Sequence, residues 1–287
     1  MADVGGTLSF DDVETGLELP EKLPAFIPQV DGGELEVLDA QLAWPAYAIG
    51  LRRVVSPKSL EVYPAFAGTA AEGMGLLPGQ LTVLVGYGLD PLVEAVWTRK
   101  ASLLPRLAAQ RWDLVLAPNY SMYGSQPRAE HLLNFRRNLL IAAELEGLGV
   151  PAVPNLYWFR KEDLDRYLAW MADVAPPAIA VNLQTFRTDA DWEAMALPGL
   201  TYLSLGMPER TKLVVTGTSR ASRIATLGDL FPKLVLVSQN PLQYARHGAQ
   251  MTDAGRVDRQ ARVEDLFTAN VWHYARMLSR ATGRGAP

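Results

Sequence analysis

The stretch KLVVTGTSRASRIATLGDLFPKLVLVSQN, residues 212–240, decides the fold class of this chain. It contains two runs of β-branched and leucine residues, and each run ends in the small polar residues that are typical of turns. The first run leads through a Gly- and Ser-containing loop into the start of a helix. Because both runs are apolar on both faces, they indicate strands that are buried in a parallel sheet. The stretch therefore predicts an α/β fold.

The same order of apolar run and helical segment recurs from residue 80 onward. Six runs fit the pattern: LTVLVGYG (81–88), DLVLAPNYS (113–121), PAVPNLYW (151–158), AIAVNLQTF (178–186), KLVVTGTS (212–219) and KLVLVSQN (233–240). The segments between them carry helix signals; one begins near Pro127 and ends at Gly147 and Gly149. Six such units favour a (β/α) barrel or an incomplete barrel, and a wound sheet is the alternative.

Three parts can be distinguished along the chain. Residues 1–79 are expected to form an N-terminal arm with irregular strands, because residues 1–34 have no sustained apolar period and only short apolar runs follow, at 35–38, 46–51 and 53–55. Residues 80–262 form the barrel-like core, in which the interval 188–211 could hold a short helix and an extra strand or turn. Residues 263–287 form a C-terminal helix and tail, with Phe267, Val271, Tyr274 and Leu278 on one stripe of the helix.

Composition excludes several classes of protein. The chain has 287 residues, no cysteine, three histidines and a net charge of −4. The missing cysteine excludes disulfide scaffolds, thiolate metal sites and thiol catalysis, and three histidines disfavour a histidine metal site. The most apolar run, residues 73–89, is too short for a membrane span, and the start has no signal-peptide pattern. We predict a cytoplasmic protein that needs no metal or cofactor and no membrane; Mg²⁺ carried in by a nucleotide is left open.

Amides, hydroxyls and aromatic residues follow the predicted strands, at the edge where parallel α/β folds bind ligands. Such groups recognise polar ligands without titrating near neutral pH. Asn, Ser and Gly also end strands simply because they form turns, and aromatic residues pack into cores. The candidate ligand-binding residues of this kind are Asn119, Tyr120, Asn155, Trp158, Asn182, Gln184 and Gln239.

Arginines also cluster after the strands, although the protein as a whole is mildly acidic. Their planar guanidinium groups suit phosphate and carboxylate, so Arg136 and Arg220 are candidates for binding an anion. In the loop after residue 216, Gly217 and Ser219 could hold a phosphate at a helix N-terminus. Solvated surface arginines and a plain serine helix cap are the alternatives.

Two residues are candidates for acid–base catalysis. Asp90 is the one carboxylate directly after a predicted strand, and His247 is the histidine nearest the predicted mouth. Asp90 is also well placed for a turn or a helix cap before Pro91. Scarce carboxylates at the strand ends disfavour a two-carboxylate glycosidase.

An ordered set of motifs extends over about residues 90–240. It consists of Trp97, the run 117–123 (APNYSMY), Asn134, Arg136, Arg137, Gly149, Pro154 and Trp158. This pattern resembles a domain-of-unknown-function family met in bacteria, plasmids and phages. The family commonly has acidic residues before the Trp helix and Asp where this chain has Asn119, so the resemblance implies a mobile-element context and no reaction.

Three functions remain open from the sequence. The first is a protein that binds a nucleotide or another phosphorylated anion at the carboxyl ends of the strands, with or without transforming it. The second is a non-catalytic scaffold that binds a partner protein through the arm or the C-terminal helix. The third and weaker one is a DNA- or RNA-binding factor, which the net negative charge disfavours. The hypothesis of a bound nucleotide or phosphorylated anion predicts that Arg136→Ala and Asn155→Ala abolish ligand binding without unfolding the protein.

Overall fold

The computed structural model of the chain describes residues 1–40 and 42–285. Within them, eight parallel strands form one sheet in the order β5-β4-β3-β2-β1-β8-β7-β6. The strands are β1 (Phe26–Val30), β2 (Ala46–Gly50), β3 (Leu81–Val85), β4 (Leu114–Leu116), β5 (Ala152–Val153), β6 (Ala178–Asn182), β7 (Lys212–Thr216) and β8 (Leu234–Ser238). The sheet is nearly closed into a barrel, as predicted.

Helices lie between the strands and cover the outside of the barrel. They are α1 (Leu35–Asp39), α2 (Ala70–Met74), α3 (Asp90–Ala109), α4 (Arg128–Gly147), α5 (Lys161–Val174), α6 (Asp189–Asp191), α7 (Leu197–Gly206), α8 (Ala221–Leu230), α9 (Asn240–Arg246) and α10 (Val263–Thr282). The interval 188–211 is helical over residues 189–206, because a π-helical segment (Trp192–Ala196) joins α6 to α7, and it ends in a turn before β7. An antiparallel hairpin, β9 (Ala249–Thr252) and β10 (Gly255–Asp258), follows α9.

The barrel has one weak seam, between β5 and β6. There β5 is two residues long, and the seam is bridged by the single pair Asn155↔Ala180. Backbone bonds run from Leu156 N to Ala180 O and from Ala180 N to Pro154 O, both 2.8 Å. The Asn155 amide adds two bonds, since its Nδ2 donates to Ala117 O and its Oδ1 accepts from the Tyr87 hydroxyl. These side-chain bonds hold the segment after β5 to the ends of β3 and β4, on the side away from the seam.

The barrel interior is filled by alternate residues of the strands, as the two-residue period of a strand requires. Small side chains such as Ala46 and Ala180 face larger ones such as Leu114, and together they form one buried apolar cluster. Leu23, which precedes β1, belongs to this cluster and closes its lower end, where the strands begin. Tyr87, which follows β3, packs on the cluster from the opposite end. The apolar core therefore stops short of the carboxyl ends of the strands and leaves a space there.

Strands β1 and β2 correct the sequence-based division of the chain. Residues 1–34 were interpreted as an arm, yet Phe26–Val30 is a central barrel strand that pairs with both β2 and β8. Of the short apolar runs, 46–51 contains β2, whereas 35–38 is helical and 53–55 begins at the last residue of a 3₁₀ turn, Leu51–Arg53. Pro28 concealed β1, and the helices that follow these two strands, α1 and α2, have only five residues each, so the alternation of strand and helix was not apparent. The barrel thus begins well before residue 80.

The C-terminal helix α10 packs against the barrel as predicted. Phe267, Val271, Tyr274 and Leu278 are all buried, and the Tyr274 ring stacks on Phe26 of β1 with centroids 5.6 Å apart. Residues 286–287 of the predicted tail lie outside the described residues. No helix in the described ranges has the length and apolar character to cross a membrane.

The N-terminal arm, residues 1–25, packs on the outside of α4 and α5. Phe10 stacks on Tyr167 of α5, and the indole Nε1 of Trp170 donates to Val13 O at 2.7 Å. On α4, the Glu146 carboxylate accepts the backbone N–H of Gly16 at 2.6 Å. Apolar burial and hydrogen bonds thus hold the arm along much of its length.

Candidate functional site

A cavity of about 710 Å³ lies at the carboxyl ends of the strands, and we call it the mouth cavity. Residues at or just after the end of every barrel strand contribute to its lining, because parallel strands bring all their carboxyl ends to one rim. The lining is rich in amides and hydroxyls. These polar groups are Gln29, Asn119, Ser121, Asn182, Gln184, Thr185, Thr216, Thr218, Ser219, Ser238, Gln239, Asn240 and Gln243.

Seven of the eleven predicted ligand-binding residues line the mouth cavity. They are Asn119, Tyr120, Asn182, Gln184, Gly217, Ser219 and Gln239. Their role in binding stays a prediction. Tyr120 differs from the rest, because its ring lies beneath the Arg137 guanidinium at 3.9 Å and its side chain is fully buried. Burial also raises the pKa of its phenol well above the ordinary value. Tyr120 therefore packs the wall of the cavity more than it faces a ligand.

Arg136 lies far from the cavity and contacts the arm. Its Nε donates to Val4 O at 2.7 Å, and its guanidinium forms a two-point ion pair with Asp12 at 2.6 and 2.7 Å. A further bond goes to Ser9 O. With 1% of the residue exposed, no donor is directed to a ligand, so we reassign Arg136 to holding the arm.

Three other predicted residues also lie outside the lining. The Asn155 amide is used at the seam, and the Trp158 indole packs on Gly199, where an added Cβ would lie 2.1 Å from Nε1. Arg220 forms an ion pair with Asp189 and donates to Arg187 O at 3.5 Å. Each of these polar groups already has a partner within the protein, which is why none of them faces the cavity.

The two candidate catalytic residues have different positions. Asp90 begins α3 at the rim, where it accepts the Ser121 hydroxyl at 2.6 Å and the Tyr123 hydroxyl. The bond to Asp90 raises the pKa of the Tyr123 phenol, which stays protonated. His247 does not reach the mouth, because the seven residues of α9 carry the chain away from the end of β8 by about 10 Å.

Strands β1 and β2 supply mouth residues that the sequence analysis missed. They are Gln29, Asp31, Arg52 and Arg53. The available signal was the pair of short runs FIPQV and AYAIG, each followed by polar residues, as at the other strand ends. Recognising those runs as barrel strands would have brought the residues after them into the site.

Asp31 is the one carboxylate among the described residues that line the cavity. It accepts from Gln239 Nε2 at 3.1 Å and Arg246 Nη1 at 2.5 Å, and it pairs with Arg53 Nη2 at 2.9 Å. Burial raises the pKa of Asp31, but the hydrogen bonds from Arg246 and Arg53 outweigh burial and hold that pKa below its ordinary value. An ionised carboxylate shared by two cations is a poor proton acceptor at neutral pH.

Arg52 and Arg187 are the cations of the lining that remain free. Both are exposed, and within the described chain neither side chain makes an ion pair or a hydrogen bond. Arg53 differs from both of them, because its guanidinium forms an ion pair with Asp31. Two positive charges therefore face the cavity with no carboxylate partner.

One buried hydroxyl in the wall lacks a partner. Thr216 and Thr218 are 6% and 5% exposed; the Thr216 hydroxyl lies within reach of the Tyr87 phenol, whereas the Thr218 Oγ1 makes no hydrogen bond. Between them, Gly217 has φ +77°, and a Cβ there would lie 2.3 Å from the Gln184 backbone nitrogen. This glycine lets the turn after β7 pass close to the loop after β6 before the chain enters α8.

Five motif residues of the family resemblance form one cluster beside the mouth, namely Trp97, Tyr120, Ser121, Asn134 and Arg137, whereas Arg136 and Trp158 lie outside it. Arg137 lies over both the Trp97 and Tyr120 rings, at 4.8 and 3.9 Å, and Asn134 Oδ1 accepts from it at 2.9 Å. Asn134 Nδ2 in turn donates to Ser121 O at 3.0 Å. The motif therefore braces the loop after β4 against α3 and α4.

The described side chains include no group of three His, Asp or Glu residues that could hold a metal ion. Compared by sequence with known proteins, the chain matches no family model and no curated protein.

Proposed function

We propose that this chain binds a nucleotide or another small phosphorylated anion in the mouth cavity. The observation that carries the proposal is Thr218, which lines the cavity and whose buried hydroxyl makes no hydrogen bond. A buried hydroxyl without a hydrogen-bond partner lowers the stability of the folded protein by about 1–3 kcal/mol. A ligand that accepts a hydrogen bond from this hydroxyl would recover that free energy on binding.

Phosphate suits the turn after β7 for three reasons. Gly217, with φ +77°, lets the turn pass close to the loop after β6 and so places the residues that follow it at the cavity wall. Thr218 and Ser219 offer hydroxyls next to the N-terminus of α8, where the helix dipole favours negative charge. Arg187 has no carboxylate partner and lines the same side of the cavity. Turns after the late strands are a frequent phosphate position in parallel barrels.

Aromatic residues after β4 and β5 support the nucleotide in particular. Tyr157 lines the cavity and stacks on Phe186 with centroids 6.1 Å apart. Tyr123 lies at the rim with half of its surface exposed. Flat, partly exposed rings beside arginines are the surfaces on which nucleobases stack.

The residues of the cavity lining support binding of a ligand better than catalysis of a reaction. The described lining contains no histidine, lysine or glutamate, and Asp31 is held by Arg53 and Arg246. The mobile-element context rests on the family resemblance alone and forms a separate part of the proposal.

Calorimetric titration with AMP, ADP and inorganic phosphate tests the proposal. Thr218→Val keeps the side-chain shape and removes the hydroxyl, so we expect it to weaken AMP binding about tenfold. Thr201→Val is the matched control, since Thr201 is exposed on α7 and bonds only Leu197 O. Equal affinities of the wild type and Thr218→Val, or no binding of any probe, would overturn the proposal.

A further inference from the structure

The two free arginines lie on opposite sides of the mouth. Arg52 follows β2 and Arg187 follows β6. In the ring formed by the sheet order and the β5–β6 bridge, β2 and β6 are four strands apart in either direction. The strand order therefore places these two charges across the cavity from each other.

The carboxylates on both sides of the mouth already form ion pairs with other arginines. On the β2 side, Asp31 is shared by Arg53 and Arg246. On the β6 side, Asp189 is shared by Arg220 and Arg223, the latter at 3.2 Å. Neither Arg52 nor Arg187 is neutralised within the described chain, so each offers a full guanidinium fork to a ligand.

The floor between the two arginines is polar and uncharged. Gln29 and Ser238 come from β1 and β8, which lie between β2 and β6 in the ring, Asn182 ends β6 itself, and all three line the cavity. Hydroxyls and amides of this kind hydrogen-bond the hydroxyls of a sugar or a similar polyol. An anion at one end only would leave the second arginine unmatched.

We infer that the ligand is a sugar-sized molecule with an anionic group at each end, a bisphosphate in the simplest case. One phosphate binds Arg187 and the Thr218 turn, the other binds Arg52, and the polar floor contacts the body between them. This inference rests on the proposed function, because it names the class of ligand for the same cavity.

The test compares a two-ended probe with a one-ended probe. We expect fructose 1,6-bisphosphate to bind about tenfold or more tightly than fructose 6-phosphate, since a second charge-assisted contact forms. Arg52→Ala should remove that advantage and leave fructose 6-phosphate binding unchanged, whereas Arg187→Ala should weaken both probes. Arg99→Ala, an exposed arginine on α3 outside the lining, is the control.

The outcomes separate the inference from the proposed function. If AMP or phosphate binds and Thr218→Val weakens it, but the bisphosphate shows no advantage, the two-ended ligand is overturned and the phosphate site stands. An advantage that survives Arg52→Ala also overturns it. If no phosphorylated probe binds, both fail. Thermal melts of each variant identify any loss that comes from unfolding.

Discussion

Arg136 on α4 and Arg187 at the mouth are both arginines that follow predicted strands in the sequence, yet the structure uses them in opposite ways. Arg136 is buried and its guanidinium contacts Val4, Ser9 and Asp12 of the arm. Arg187 is exposed, and within the described residues its side chain has no partner. Arg136 therefore donates to the protein's own backbone, whereas the Arg187 guanidinium remains available to a ligand.

The same contrast separates the hydroxyls and amides of the two regions. At the seam, the Asn155 amide is fully engaged with Tyr87 and Ala117. At the mouth, the Thr218 hydroxyl is buried and has no bond. The residue type alone therefore does not separate a structural role from a binding role. The presence or absence of a hydrogen-bond partner within the protein is more informative.

Arg136→Ala should have the largest effect on stability. Two backbone carbonyls and Asp12 lose their charge-assisted donors, which contribute about 1.5–3 kcal/mol each, so we expect the melting temperature to fall by roughly 10 °C. Differential scanning calorimetry measures the shift, and Arg99→Ala serves as the exposed control. A melting temperature within about 1 °C of the wild type would contradict the holding role.

Asn155→Ala should have the next largest effect. Removal of the amide leaves Ala117 O without its side-chain donor and takes one partner from the Tyr87 hydroxyl beside the shortest strand, at a cost of about 1–3 kcal/mol. Hydrogen exchange should rise first at Leu156 and Ala180, whose N–H groups bridge the seam. Exchange that rises evenly over all strands would show instead that the seam does not open on its own.

Acid should loosen the arm through Asp12. The hydrogen bond from Arg136 holds the pKa of Asp12 below its ordinary value of 3.8, so the ion pair stabilises the arm above that pH and is lost as pH falls below it. Because Asp12 is largely exposed, we expect cleavage of the arm by pepsin to be faster by a factor of about 2–5 at pH 3 than at pH 4.5, corrected for the protease's own pH profile. Asp12→Asn should show no such change.

Thr218→Val should have the smallest effect on folding. The variant removes a buried hydroxyl that has no partner, so the free energy of unfolding should stay within about 1 kcal/mol of the wild type or rise. Urea denaturation measures it, with Thr201→Val as the control. A loss of more than about 2 kcal/mol would mean that the hydroxyl has a partner in the folded protein.

The periodicity of the sequence was sufficient to predict the barrel from β3 to β8 and the buried stripe of α10. Each of these strands lies in an apolar run of the sequence, and helical segments separate β3 to β8 along the chain, so local pattern is sufficient to reveal them. The first two strands were missed because Phe26–Val30 contains Pro28 and derives its burial from β8, a long way along the chain. Local pattern contains no information about such a partner.

The mouth was partly predictable for a related reason. Residues that end strands were located from the strands, and Asn182, Gly217 and Gln239 do line the cavity. Arg136 and Asn155 were misplaced because their partners lie in the arm and at the seam, and neither contact leaves a periodic signal. Arg52 was missed along with the strand that carries it.

The pairing of β1 with β8 also governs when the barrel is able to close during synthesis. At about 5–20 residues per second, β8 is made roughly 10–40 s after β1, since about 200 residues separate them. During that interval the outer edge of β1 has no neighbour, while β2 to β5 already have theirs. A nascent chain of this protein therefore carries an open strand edge for most of its translation, and it needs shielding from other chains until its last strand emerges.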